Sequence, residues 1–186
     1  MPEQSDAASL DASASADRVS WDRRLAAGIA DGILSAILMM GFLMAYSSVT
    51  GAGMTMPLKA LGALVYGVEA LVVGSMAMLA GAGIQLGCSI VLGILFALFT
   101  SRRTSIVAAL FAGIAVGIVI WVAMDLLVLP SMNPTMEARI ALMPLAYFIA
   151  NLMHGIGLGT TPIFIRAFSR KRHGHRMERA VEVLPI

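Results

Sequence analysis

Five polar side chains stand inside stretches that are otherwise almost free of charge, and they carry whatever chemistry the chain offers: Asp31, Gln85, Asp125, Asn151 and His154. In hydrocarbon such a group is costly unless paired or solvated, so each marks a functional position or a helix contact. An acid and an imidazole at different depths, Asp31 and His154, could relay protons or bind a small cation. The plainer expectation has Gln85 and Asn151 bonding helices together, His154 donating to a carbonyl, and both aspartates reaching toward the interfaces. Interhelical hydrogen bonds of that kind contribute about 0.6 to 2 kcal/mol each, enough to account for the residues without transport. Only Asp31 and His154 lie deep, and no unwound Gly/Pro break is expected in mid-helix, where transporters place their sites. The plainer reading is therefore the expectation.

Helical spacing sorts these residues into faces. Gly28, Asp31, Gly32 and Ser35 share one side of a first helix, as neighbours three and four apart must. Gln85, Ser89 and Gly93 form a row on a second. Asn151, Gly155 and Gly159 form the corresponding row on a fourth, with His154 on its flank. These small and polar rows should face inward, leaving Leu, Val and Phe to lipid.

Methionine is abundant, at 14 residues, and eight fall in or near the expected outer half: Met54, Met56, Met76, Met78, Met124, Met132, Met136 and Met143. Thioethers are soft ligands, so the paired M-x-M positions raise copper(I) binding as an alternative. Methionine also fills irregular apolar gaps, and nothing brings two or three sulfurs to one point, so no metal site is assigned. His173 and His175 lie in a basic segment and carry no assignment. The single cysteine, Cys88, excludes an intramolecular disulfide and any CxxC motif, and reads as a packing residue. No HExxH, GxSxG, P-loop or Rossmann signature occurs, so no enzyme, cofactor or nucleic-acid partner is expected.

The elements that must position these residues follow from composition. Hydrophobic residues make up 59% of the chain and charged ones 13%, against about 25% charged in ordinary globular proteins. Mean hydropathy is +0.86. The chain is expected to be an all-α membrane protein, a bundle of four transmembrane helices over residues 21–168. The spans are placed at about 25–48, 76–99, 105–128 and 140–165, each supplying the roughly 20 apolar residues a bilayer requires. Open strands would leave amides unpaired in lipid, and the runs lack the alternation of a β-barrel. Residues 1–20 are rich in Ala, Ser and Asp and are expected to be a disordered cytoplasmic segment, not a signal peptide.

Basic residues set the orientation. Arg18, Arg23, Arg24, Arg102, Arg103, Arg166, Arg170, Lys171, Arg172, Arg176 and Arg179 fall on one side, and only Lys59 and Arg139 on the other. Both termini are therefore expected in the cytoplasm. The basic tail, 169–186, should lie against anionic headgroups, at roughly 1 kcal/mol per basic residue. Of the outer connections, Leu129 to Pro134 reads as a turn held by two prolines. The first outer connection holds an apolar segment too short to span, read as an interfacial helix over about 56–68 with Pro57 in its first turn.

An internal match runs through the helices. Leu25 to Ile33 aligns without a gap on Leu110 to Ile118, superposing Gly28 on Gly113 and Gly32 on Gly117. A weaker match sets Gln85-Leu86 on Asn151-Leu152 and Leu92-Gly93 on Leu158-Gly159. The expectation is two tandem helical hairpins of equal orientation, related by an axis along the membrane normal. The alternative is that Ala, Gly, Ile and Leu coincide often in any membrane sequence.

Pro57 heading a short apolar helix, the row Gln85, Ser89, Gly93 and Phe96, and Asn151-Leu152-Met153-His154-Gly155 with Leu158-Gly159 resemble bacterial four-helix inner-membrane proteins of the YagU-like families. Gln85 stands where those families carry a histidine, which counts against a paired-histidine cofactor site. The resemblance implies a bacterial inner-membrane location and no particular activity. The expected function is a non-enzymatic membrane protein, self-associating or an accessory subunit of a larger complex, packing through glycine faces. The rival is a small transporter or proton-conducting protein built on Asp31 and His154.

Overall fold

The computed structural model describes residues 21–72, 74–101, 103–132 and 134–169. The N-terminal segment 1–20 and nearly all of the basic tail lie outside the described residues. Those described form helices and turns, with no strand among them. Four helical spans are long and apolar enough to cross a membrane: Trp21–Val49, Gly74–Phe99, Ile106–Val128 and Pro144–Ser169.

The first helix, α1 (Trp21–Val49), has no proline and runs until Gly51 and Gly53 turn the chain with φ of 77° and 93°, conformations that glycine adopts without strain. A short helix, α2 (Met56–Tyr66), follows with proline in its first turn, where the missing N–H costs nothing. A 3₁₀ turn, Gly67–Leu71, leads into α3 (Gly74–Phe99). Arg24 on α1 ties off the far end of α3, its Nη1 donating to the carbonyls of Ala97, Leu98 and Thr100 at 3.2, 2.8 and 3.0 Å. Those carbonyls have no intrahelical partner, and a cation there also meets the negative end of the helix dipole.

Ser105 caps α4 (Ile106–Ile120), its Oγ accepting from the Ala108 amide at 3.1 Å. The helix continues in π form over Trp121–Val128. Beyond it the chain differs from the expected proline turn. It stays helical in α5 (Leu129–Met132) and α6 (Pro134–Leu142), because Pro134 opens α6 at a position that needs no donor. Ile140, expected to begin the fourth span, belongs to α6. The span itself starts at Pro144 with α7 (Pro144–Leu158), turns at Gly159 and Thr160, and is helical again over 161–169.

Glycines govern how the long helices meet. A Cβ on Gly28 would fall 2.5 Å from the Ile94 Cα, and one on Gly32 would fall 2.6 Å from the Ile90 Cα, so α1 touches α3 backbone to backbone. In the same way Gly113 and Gly117 of α4 meet Gly155, Gly159 and Asn151 of α7. Such close approach is how helices associate where lipid provides no hydrophobic drive. Helix α1 also packs on α7, and α2 lies along α3, where Gly62 meets Ala77 and Gly81 meets Leu58. At the α2 end, Leu43, Ala60, Ile140, Tyr147 and Ala150 form a buried cluster joining α1, α2, α6 and α7. Helices α3 and α4 are not packed along one another.

Candidate functional site

The turn in the fourth span has a local cause. Pro162 has no N–H, so the Leu158 carbonyl loses the donor that a continuous helix would supply. The Thr160 amide bonds Gly157 instead of the residue four back, at 2.9 Å. Asp31 of α1 faces this break. Thr160 Oγ1 donates to Asp31 Oδ1 at 2.8 Å, and Thr161 Oγ1 donates to Asp31 Oδ2 at 2.5 Å. Asp31 is 0% exposed. The expectation that it reaches an interface is therefore replaced by a carboxyl group held inside, and the expectation of an unbroken helix by a break at that carboxyl.

Thr160 Oγ1 also lies 2.8 Å from the Gly157 carbonyl, and Thr161 Oγ1 lies 2.7 Å from the Leu158 carbonyl. Each hydroxyl has one proton and cannot donate both ways. An ionised Asp31 draws both hydroxyl protons to itself. A protonated Asp31 can donate to one threonine, whose own proton then returns to its carbonyl. The cluster therefore has two hydrogen-bond patterns that differ by one proton.

One turn along α1 from Asp31 is Ser35, buried against Gly157 of α7. The ring of His154 faces the Ser35 backbone and is 2% exposed. Neither ring nitrogen of His154, nor Ser35 Oγ, has a hydrogen-bond partner among the described residues. Buried polar groups are nearly always bonded, so these demand an explanation. The carbonyl expected to accept from His154 has its counterpart in the Ser35 backbone, which the ring faces just outside full bonding geometry.

Beyond His154 lies a cavity of about 750 Å³ between α1, α3, α4 and α7, closed at one end by Pro57, Leu61 and Leu64 of α2. His154, Asn151, Gln85 and Ser89 line it together with apolar side chains. Gln85 Nε2 reaches Met39 Sδ and Ser89 Oγ, both at 3.3 Å, while Asn151 Nδ2 donates to the Tyr147 carbonyl at 2.9 Å. Four of the five predicted polar residues thus fall into two joined places. Gln85, Asn151 and His154 line the cavity, and Asp31 lies below them past Ser35. The side chain of Asp125 lies outside the described residues. Gly28, Gly32, Gly93, Gly113, Gly117, Gly155 and Gly159 each face another helix at contact distance.

Thr160 and Thr161 were not among the expected site residues, although Gly159-Thr160-Thr161-Pro162 carries the signal of a helix break in its glycine and proline. Gly62 and Gly81 were likewise missed, because α2 was read as an interfacial helix and given no packing partner. Of the methionines expected in the outer half, Met124 lines the cavity and Met54 and Met76 are exposed. No trio of His, Cys, Asp or Glu able to hold a metal occurs among the described residues. Geometry and composition define a helical protein with four spans apolar enough to cross a membrane and a buried carboxyl cluster between the first and the fourth. No family model, curated protein or solved structure matches the chain.

Proposed function

We propose that this chain is a small, non-enzymatic, proton-conducting protein of a bacterial inner membrane, with both termini in the cytoplasm. The observation that carries the reading is Asp31 bonded to Thr160 and Thr161 at an interrupted helix, which is how membrane transporters build coupling sites. The oxygens of the cluster touch one another at 2.5 and 2.8 Å. At these separations one proton is held between the carboxyl and each hydroxyl. Ser35 and His154, buried and unpartnered, stand between this cluster and the cavity and are placed to pass a proton along it.

Two structural proposals accompany this one. The four spans are two tandem hairpins, because Gly28 and Gly32 bring α1 against α3 at Gly93, Ile94 and Ser89, and their alignment partners Gly113 and Gly117 bring α4 against Gly155, Gly159 and Asn151. The two seams are set differently along their helices: Gly32 meets Ser89, whereas Gly117 meets first Asn151, the partner of Gln85. Helix α2 lies at the outer membrane interface over the cavity. The test of function is proton movement into liposomes holding the purified chain and a pH-sensitive dye, driven by a potassium diffusion potential. The wild type should move protons, Asp31→Asn should abolish the movement and His154→Ala should slow it. A silent wild type removes the reading.

A second reading, self-association or service as an accessory subunit, keeps one observation. The seven expected packing glycines are occupied within the chain, but Gly83 and Gly87 of α3 have nothing within 4 Å and form an open GxxxG pair. Native mass spectrometry from mild detergent tests it, and a lone monomer counts against it.

A further inference from the structure

The cavity beside His154 is built for a ligand of definable chemistry. Its volume of about 750 Å³ falls in the range of roughly 300 to 1,000 Å³ that small-molecule sites occupy. A second cavity, about 340 Å³, continues between α3 and α4 past Leu95, Phe96 and Val116, and Leu92 lines both. Because α3 and α4 are not packed on one another, this run of space lies along a gap between two apolar helices. In a membrane, such a gap faces lipid.

The polar groups are concentrated at one end. His154 lines the large cavity, is 2% exposed, and has both ring nitrogens unpartnered, one donor and one acceptor in the neutral ring. The Gln85 amide nearby makes only long contacts to a thioether and a hydroxyl, which a better acceptor would displace. No Asp, Glu, Lys or Arg lines either cavity among the described residues. An ionised head entering this space would lose its hydration and find no counterion, at a cost of several kcal/mol. A neutral head carrying a hydroxyl or carbonyl loses less and gains the histidine.

We infer that the cleft binds a lipid-soluble molecule with a neutral hydrogen-bonding head, which enters from the bilayer between α3 and α4, sets its head at His154 and lays its apolar tail toward Phe99. The inference rests on the membrane placement proposed above, but not on proton movement through Asp31, so binding and flux can fail separately.

The test uses the full chain in phosphatidylcholine liposomes with a photoactivatable fatty alcohol, and in parallel the matching alkyl sulfate. Peptide mapping should find the alcohol cross-linked within 84–92 and 119–124, roughly tenfold above the exposed Phe111 face of α4, with the sulfate roughly tenfold weaker. Gly83→Leu and Gly87→Leu project side chains into open space, so both should fold with wild-type thermal stability and lose most of the labelling. His154→Ala should remove the preference for alcohol over sulfate. Labelling spread evenly over the lipid face, or unchanged in Gly87→Leu, would overturn the proposal. So would equal labelling by the sulfate. Disulfide-linked dimers through the exposed Cys88, lost in Gly87→Leu, would instead assign the cleft to a second copy of the chain.

Discussion

Two interfaces in this protein occupy equivalent places in the proposed repeat and have opposite fates. Helices α1 and α7 close on each other around Asp31, Thr160 and Thr161. Their counterparts, α4 and α3, stand apart, and the aligned residues there are Val116, Ile94 and Leu95. Within each hairpin glycines bring backbone against backbone, so close approach inside a hairpin is not what differs. The side chains differ. A carboxyl group and two hydroxyls find nothing to bond in hydrocarbon and hold their helices together, whereas Val, Ile and Leu are as well served by lipid as by one another. Polarity closes one interface, and its absence leaves the other as a cleft.

The largest effect should come from breaking the closed side. Thr160→Val together with Thr161→Val keeps shape but leaves both Asp31 oxygens without donors, at a cost of about 4 kcal/mol for two bonds to a buried carboxyl. Adding Asp31→Leu should recover most of that loss, since removing all partners of a polar cluster is far cheaper than removing some. Reversible unfolding in mixed micelles measures both. If the triple variant is no more stable than the double, the cluster is not what joins α1 to α7.

Next come the glycine seams, where the two halves should behave alike. Gly28→Ala and Gly113→Ala each push a methyl group into facing backbone, and each should cost about 2 kcal/mol. Equal costs sharpen the case for two hairpins, and a neutral Gly113→Ala beside a damaging Gly28→Ala breaks it. A smaller asymmetry is expected at the helix ends. Arg24 satisfies three carbonyls at the end of α3, while Arg166 reaches one, that of Thr104, at 2.9 Å. Arg24→Ala should therefore cost about 1 kcal/mol and Arg166→Ala less, by the same unfolding assay.

What could be read from the chain follows the range of the interaction. The four apolar spans were legible because hydropathy is a local sum, and the seven packing glycines because an i, i+4 spacing is local too. The match of Gly28-x-x-x-Gly32 to Gly113-x-x-x-Gly117 pointed to the seams even though it did not say which helix each would meet. The partners of Asp31 were not legible. Thr160 lies 129 residues away, and a threonine beside a proline reads first as a way to mend a broken helix. The helices Leu129–Met132 and Pro134–Leu142 were hidden by their prolines, since proline stops a helix from within but suits its first turn. The gap between α3 and α4 leaves no mark in sequence at all, because an apolar face looks the same whether it meets lipid or a helix.

That last point yields the smallest effect and the most direct test of the comparison. In a packed core, truncating leucine to alanine removes transfer energy and leaves a cavity, together costing about 2 to 5 kcal/mol. Leu95 is 47% exposed and lines the gap opposite Val116. In a bilayer its side chain meets apolar surroundings in the folded and unfolded states alike, so the transfer contribution vanishes, and lipid fills whatever space is left. Leu95→Ala and Val116→Ala should each change unfolding free energy by less than about 0.5 kcal/mol. A cost above roughly 1.5 kcal/mol, in the range of real packing, would mean that α3 and α4 touch in the membrane and that the cleft closes there.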